Sequence, residues 1–202
     1  MGIYLLLFSI LILFGWFRKS LSELSHAQTT SIPLFILLLL ISLLLPPFPS
    51  DATVQVTVGV MLFLTAILLL IRYVTREQQQ LLFTYSLSTV MGLFMLQTFL
   101  FLPGDWDNLE FKLLESLTVL SIAQLTLPSL LLRITYIAST LFVFSLTMIV
   151  VYHERISPLI IGDNDLLVHM VFLCYVSLFF HSIQLWWNER SSSRVDKRQR
   201  NR

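Results

Sequence analysis

The chain consists of long apolar runs joined by short polar connections. The runs cover residues 3–17, 32–48, 52–71, 80–102, 113–132, 134–152 and 166–187. Each is close to the roughly 20 residues that a helix needs to cross a bilayer. Their apolar character is continuous and does not alternate from one residue to the next, so the pattern predicts helices and argues against a membrane barrel of strands.

The composition supports an integral membrane protein. Of the 202 residues, 56% are hydrophobic and 12% are charged, which leaves too few polar side chains to cover a water-soluble globule. The charged residues gather at the ends of the runs, because a charge at the centre of a bilayer costs about 2.5 to 3.5 kcal/mol on insertion scales. The sequence therefore predicts an all-α, polytopic helical bundle with about seven transmembrane helices.

The connections between the runs leave no room for a soluble domain. Residues 1–187 are interpreted as one transmembrane helical-bundle domain, and residues 188–202 as a basic, disordered cytoplasmic tail that is rich in Ser and Arg. The six Lys and Arg residues of the tail are expected to bind anionic lipid headgroups. The tail has no aromatic residue beyond Trp187, so nucleic acid is not expected as a partner.

The distribution of Lys and Arg predicts the orientation, because basic residues in short loops stay in the cytoplasm. With seven crossings, an outside N-terminus and a cytoplasmic C-terminus, the only basic residues placed outside are Lys112 and Arg155. An uncleaved first segment that ends in Arg18 and Lys19 fits a reverse-oriented anchor. The short loops and small soluble mass are typical of a multi-pass protein of the bacterial plasma membrane.

The region from Leu113 to Val151 is too long for one crossing and contains Pro128 and Arg133. If this region crossed the membrane only once, the orientation of the first four runs relative to the tail would be reversed, and their basic residues would lie outside. The charge count therefore favours two helices joined by a tight cytoplasmic turn at Pro128, with Arg133 reaching the headgroups. The alternative is one long helix, kinked at the proline, that lies partly in the interface.

Only a few polar residues within or beside the runs have side chains that suit proton or metal binding. Glu115 follows Lys112 by three residues, a spacing that favours an ion pair near the outer surface over a proton or cation site. An outer cluster of imidazoles and carboxylates has the ligand types that suit a divalent metal, but ordinary capping and interfacial hydrogen bonding are favoured. Its members are His153, Glu154, Asp163, Asp165 and His169. No residue is assigned as catalytic, cofactor-binding or metal-ligating, and no cofactor is expected.

The remaining polar positions indicate helix packing. Thr84, Ser88 and Gly92 recur every four residues and form a stripe of small side chains that lets another helix approach closely. Gln97 and Gln124 offer hydrogen bonds between helices.

These observations predict a non-enzymatic accessory or scaffold protein. It would act through contacts between its helices and those of other membrane proteins or of its own copies. The alternative is a small carrier or channel for a solute or a proton. An enzyme is not predicted, because no catalytic constellation is present in the sequence.

Overall fold

The computed structural model describes residues 54–56, 64–65, 67–68, 70–100, 109–152, 159–161 and 164–200. The predicted runs 3–17 and 32–48, and with them the predicted anchor, lie outside the described residues. The same holds for His153, Glu154 and Asp163 of the outer cluster.

The described part of the chain is a bundle built around four helices. These are α1 (Arg76–Leu100), α2 (Leu109–Thr126), α3 (Leu130–Tyr152) and α4 (Asn164–Arg200). The described residues between 64 and 71 are also helical. Three segments, Arg76–Phe99, Leu130–Tyr152 and Val168–Asn188, are long and apolar enough to cross a membrane. The prediction of a helical membrane protein is confirmed to this extent.

The region 113–152 forms two helices, as the charge count predicts. Helix α2 ends at Thr126 and α3 begins at Leu130, with Pro128 in the break between them. Ser129 caps α3, because its Oγ accepts a hydrogen bond of 3.3 Å from the backbone N–H of Leu132. A single proline-kinked helix is thereby excluded.

Helix α3 is the centre of the bundle. Every side chain from Leu130 to Ala138 is buried, and α1, α2 and α4 all pack against this helix. Its first nine residues are therefore enclosed by the other three helices, whereas its later part is partly exposed, as at Val143, Val150 and Val151.

Helices α2 and α4 run in the same direction. Ser116 is hydrogen-bonded to His169, and eight residues further along both helices Gln124 is hydrogen-bonded to Ser177. Helix α3 lies between α2 and α4 in the chain, and the three-residue break turns it back against α2. Helix α3 therefore runs opposite to α2 and α4; of these three helices, α3 and α4 contain segments that are long and apolar enough to cross a membrane, and α2 does not.

Two short strands add a feature that the all-helical prediction lacks. Strand β1 (Val54–Val56) pairs in parallel with β2 (Leu159–Ile161), with Val54 opposite Leu159. The start of the predicted run 52–71 is therefore strand and not helix. Val-Gln-Val and Leu-Ile-Ile are rich in β-branched residues, which favour extended backbone.

Helix α4 also departs from the prediction at its end. The sequence predicts disorder from residue 188, whereas α4 continues to Arg200. The basic segment extends a helix that is already formed, so it avoids the cost of nucleation, and Arg, Lys and Gln are good helix formers.

Candidate functional site

Three groups of polar side chains lie between the helices, and each is named after its central residue. The Glu115 cluster joins α2 to α4, the Arg133 cluster joins α2, α3 and α4, and the Tyr136 cluster joins α1 to α3. The Glu115 cluster contains Lys112, Glu115, Ser116 and His169. The Arg133 cluster contains Gln124, Leu127, Arg133, Ser177 and Gln184. The Tyr136 cluster contains Ser86, Thr89, Tyr136, Ser139 and Thr140.

In the Glu115 cluster a carboxylate on α2 faces an imidazole on α4. Glu115 is buried, and its Oε2 lies 3.8 Å from Nδ1 of His169. The other ring nitrogen, Nε2, lies 2.7 Å from the Oγ of Ser116. Ser116 Oγ in turn donates a hydrogen bond of 2.7 Å to the backbone oxygen of Lys112.

These contacts fix the protons of the imidazole. A serine hydroxyl has one proton, and Ser116 donates it to Lys112, so Ser116 must accept the proton of His169 Nε2. The remaining nitrogen, Nδ1, then faces Glu115. The two atoms are 3.8 Å apart, which is within ion-pair range and beyond hydrogen-bond distance, so a proton on either group would favour the contact but no hydrogen bond joins them. The Glu115 cluster therefore places two titratable side chains next to each other between α2 and α4.

The sequence predicts Lys112 as the partner of Glu115. The structure adds a neighbour from another helix, because His169 on α4, which is 54 residues away, lies 3.8 Å from Glu115. His169 is also the one member of the predicted outer cluster whose side chain the structure describes, and it faces α2. Within the described ranges, no three His, Cys, Asp or Glu side chains form a group that suits a metal ion.

In the Arg133 cluster a guanidinium is buried at the end of the bundle where α2 meets α3. The distribution of Lys and Arg predicts that this end is cytoplasmic. Arg133 donates from Nε to the backbone oxygen of Leu127 at 2.8 Å. Its Nη1 donates to Oε1 of Gln124 at 2.7 Å and to Oε1 of Gln184 at 3.0 Å. Gln124 Nε2 donates to the Oγ of Ser177 at 3.1 Å, which orients its Oε1 toward Arg133.

Arg133 differs from the sequence-based expectation in its exposure. The sequence predicts a side chain that extends to the headgroups, but only 6% of Arg133 is exposed. The bond to Leu127 holds the end of α2 against the first turn of α3, so Arg133 closes the turn from inside the bundle. The prediction that Gln124 bonds between helices is confirmed by its contacts with Arg133 and Ser177.

The Tyr136 cluster is a network of hydroxyls that sequence reasoning missed. Tyr136 is fully buried, and its hydroxyl is hydrogen-bonded to Thr89 at 2.6 Å. Ser86 is hydrogen-bonded to Ser139 at 3.2 Å and accepts from Thr140 at 3.1 Å. The available signal was the spacing of Tyr136, Ser139 and Thr140, which places three hydroxyls on one face of an otherwise apolar helix. These bonds fasten α1 to α3.

The small-residue stripe of α1 is placed differently from the prediction. Thr84, Ser88 and Gly92 are exposed, and a Cβ added to Gly92 would meet no atom within 4 Å. The face of α1 that packs on α3 contains Ser86, Thr89 and their neighbours instead. Gln97 is buried on α1, but its Oε1 has no hydrogen-bond partner among the described residues, so its predicted interhelical bond is not found.

The chain matches no protein-family model, and neither a curated protein nor a solved structure is detectably similar to it. The three clusters and the outer surface of the helices are therefore the features that indicate a function.

Proposed function

We propose that this chain is a non-enzymatic accessory or scaffold protein that binds other membrane proteins, or copies of itself, through its helices. The observation that carries this proposal is the exposed face of α1. The small stripe of Thr84, Ser88 and Gly92 lies there beside exposed large apolar side chains. These are Leu81, Phe83, Leu87, Met91, Met95 and Phe99.

A lipid-facing helix surface does not require a stripe of small residues, but a close approach between helices does. Small residues let two backbones come together, and this gives membrane helices the van der Waals contact that drives their association. Because a Cβ at Gly92 would meet no atom within 4 Å, none of the described helices uses this approach. The bonds of Ser86 and Thr89 already hold the opposite face of α1, so a partner on the stripe would not have to displace α3.

The experiment that tests this proposal measures the mass of the complex that the purified chain forms in mild detergent. We expect a stoichiometric complex that Gly92→Ile disrupts, because the larger side chain blocks the close approach while the space around Gly92 leaves the fold intact. Val150→Leu on α3 is the matched control, since Val150 is an exposed apolar residue on another helix. A complex that survives Gly92→Ile unchanged would argue against the α1 surface as the interface.

A second candidate, a small proton carrier, is favoured by the Glu115 cluster. Glu115 and His169 are two titratable side chains 3.8 Å apart, and such groups are what a proton pathway uses within a membrane. The purified chain in liposomes distinguishes the two candidates. Proton flux that Glu115→Gln abolishes would support the carrier, and the absence of flux beside a Gly92-dependent complex would support the scaffold.

The proposal includes the full topology of seven crossings, with the N-terminus outside and the C-terminus in the cytoplasm of a bacterium. Two features support it and one opposes it. The opposing feature is the direction of α1: Ser86 pairs with Ser139 and Thr89 with Tyr136, so α1 runs opposite to α3, whereas seven alternating crossings give these two helices the same direction. The parallel direction of α2 and α4 agrees with three alternating crossings. The pairing of β1 with β2 brings together two segments that the topology assigns to the same, outer side.

The topology is tested with reporter fusions. A reporter placed after Arg202 is expected to be cytoplasmic, and one inserted at Gly104 is expected to be exterior, because the positive charges of the tail retain it inside. If both reporters were found on the same side of the membrane, the number of crossings between Gly104 and the C-terminus would be even, and the proposed topology would be wrong.

A further inference from the structure

The charge of Arg133 is buried without an acidic partner in the described part of the chain. Its three hydrogen bonds go to a backbone carbonyl and to two amide oxygens, all of them neutral. A guanidinium has five N–H groups, and these bonds use the one on Nε and the two on Nη1. The two N–H groups of Nη2 have no acceptor among the described residues.

Neutral oxygens orient a guanidinium but do not cancel its charge. A cation that is largely removed from water is stabilised most by an anion with matching geometry, and oxygens of a phosphate match the planar donors of arginine. The bond from Gln124 Nε2 to Ser177 holds the amide that accepts from Arg133. The donor group is therefore positioned by two neighbouring helices before any ligand arrives.

The surroundings of the cluster indicate where the anion comes from. Gln184, which accepts from Arg133, precedes Trp186 and Trp187 on α4 by less than one turn, and both indoles are exposed. Exposed tryptophans at the end of a membrane helix lie at the level of the lipid headgroups. On the other side of Arg133 lies the exposed end of α2, with Leu125 and Thr126. The cluster is thus beside the headgroup layer.

We propose that Arg133 binds the phosphate of an anionic phospholipid headgroup at the α2–α3 turn. The phosphate oxygens accept from Nη2, while Nε and Nη1 keep their bonds to the protein. An anionic lipid suits the site better than a zwitterionic one, because the latter neutralises its phosphate with its own ammonium. This proposal is independent of the scaffold and carrier functions. Free phosphate offers the same chemistry, so the test must separate the two sources.

The test uses the purified full-length chain in neutral detergent and measures binding of phosphatidylglycerol and phosphatidylcholine by native mass spectrometry. The wild-type chain is expected to bind phosphatidylglycerol more tightly. Arg133→Gln is expected to weaken that binding about tenfold or more, the effect of losing a charge-assisted hydrogen bond. Equal binding of phosphatidylglycerol by wild type and Arg133→Gln would overturn the proposal.

Arg76→Gln is the control. It removes the same charge from an exposed position at the first residue of α1, outside the basic tail and outside the Arg133 cluster. We expect it to leave phosphatidylglycerol binding unchanged. An equal loss in Arg76→Gln and Arg133→Gln would show general attraction in place of a site, and would also overturn the proposal.

Two further arms complete the test. Sodium phosphate added without lipid should not raise the melting temperature of the wild type. A rise in melting temperature that depends on Arg133, together with no selective binding of phosphatidylglycerol, would show that the site binds free phosphate. It would overturn the proposal that the ligand is a lipid. If Arg133→Gln does not fold, Arg133→Lys takes its place. Lysine keeps the charge, but its single nitrogen cannot replace Nε and Nη1 in their bonds to the protein and also reach the phosphate, so we expect a several-fold loss of lipid affinity, and wild-type affinity would refute the proposed contact.

Discussion

Tyr136→Ala is expected to lower the free energy of unfolding by about 3 to 5 kcal/mol, the range for removing a large aromatic side chain from a packed core. Tyr136 is 0% exposed and is the largest side chain buried to this degree in the described core. Its removal leaves a cavity between α1 and α3, and Thr89 loses the hydrogen bond of 2.6 Å that joins the two helices. Equilibrium unfolding in mixed detergent micelles measures the change.

Two variants separate the cavity from the hydrogen bond. Tyr136→Phe removes only the hydroxyl and is expected to cost about 0.6 to 1.7 kcal/mol, the range between membrane helices. Tyr73→Ala removes the same side chain from a position that is 40% exposed and should cost about 0.5 kcal/mol or less. If Tyr136→Ala cost no more than Tyr73→Ala, the packing of α1 on α3 around Tyr136 would be incorrect.

The break between α2 and α3 was predictable because two independent signals agree there. Pro128 disfavours helical backbone before it, and the count of basic residues requires an additional crossing in the same region. The three apolar segments that are long enough to span a membrane were predictable for a similar reason, since length and hydropathy are local properties of the sequence.

The partners of the buried polar groups were not predictable, because they are distant in the sequence. Glu115 has Lys112 three residues before it, so local spacing reveals that neighbour, but it does not reveal His169, which lies 3.8 Å from Glu115 on another helix. The place of Arg133 near the end of an apolar run predicts contact with charged headgroups. Two of its hydrogen-bond acceptors are instead the amide oxygens of Gln124 on α2 and Gln184 on α4. Spacing along one helix does not reveal which neighbour faces it.

The packed face of α1 could not be identified either. In a soluble protein the apolar face of a helix is the buried one, but in a membrane the lipid-facing side is as apolar as the core. The sequence alone therefore does not show whether the stripe with Gly92 or the face with Ser86 and Thr89 packs against another helix. Strand β1 was missed for a related reason, because three extended residues inside an apolar run do not interrupt its hydropathy.

Glu115→Lys is expected to destabilise the chain by about 3 to 5 kcal/mol, the cost of leaving a buried charge without compensation. Glu115 is 6% exposed and faces His169, with Lys112 one turn before it on the same helix. A second ammonium at this position would meet two basic groups and would disturb the contact between α2 and α4. The same unfolding measurement detects the loss.

The control is Glu110→Lys, which makes the same charge reversal at an exposed position in the first turn of α2. It loses a favourable interaction with the helix N-terminus at an exposed position and should cost about 0.3 to 1 kcal/mol. Glu115→Gln should lie closer to this control than to Glu115→Lys, because a neutral amide keeps the shape and leaves the bond between Ser116 and His169 intact. Equal stability of Glu115→Lys and Glu110→Lys would mean that the carboxyl of Glu115 is not enclosed between α2 and α4, and the proton-carrier alternative would lose its structural basis.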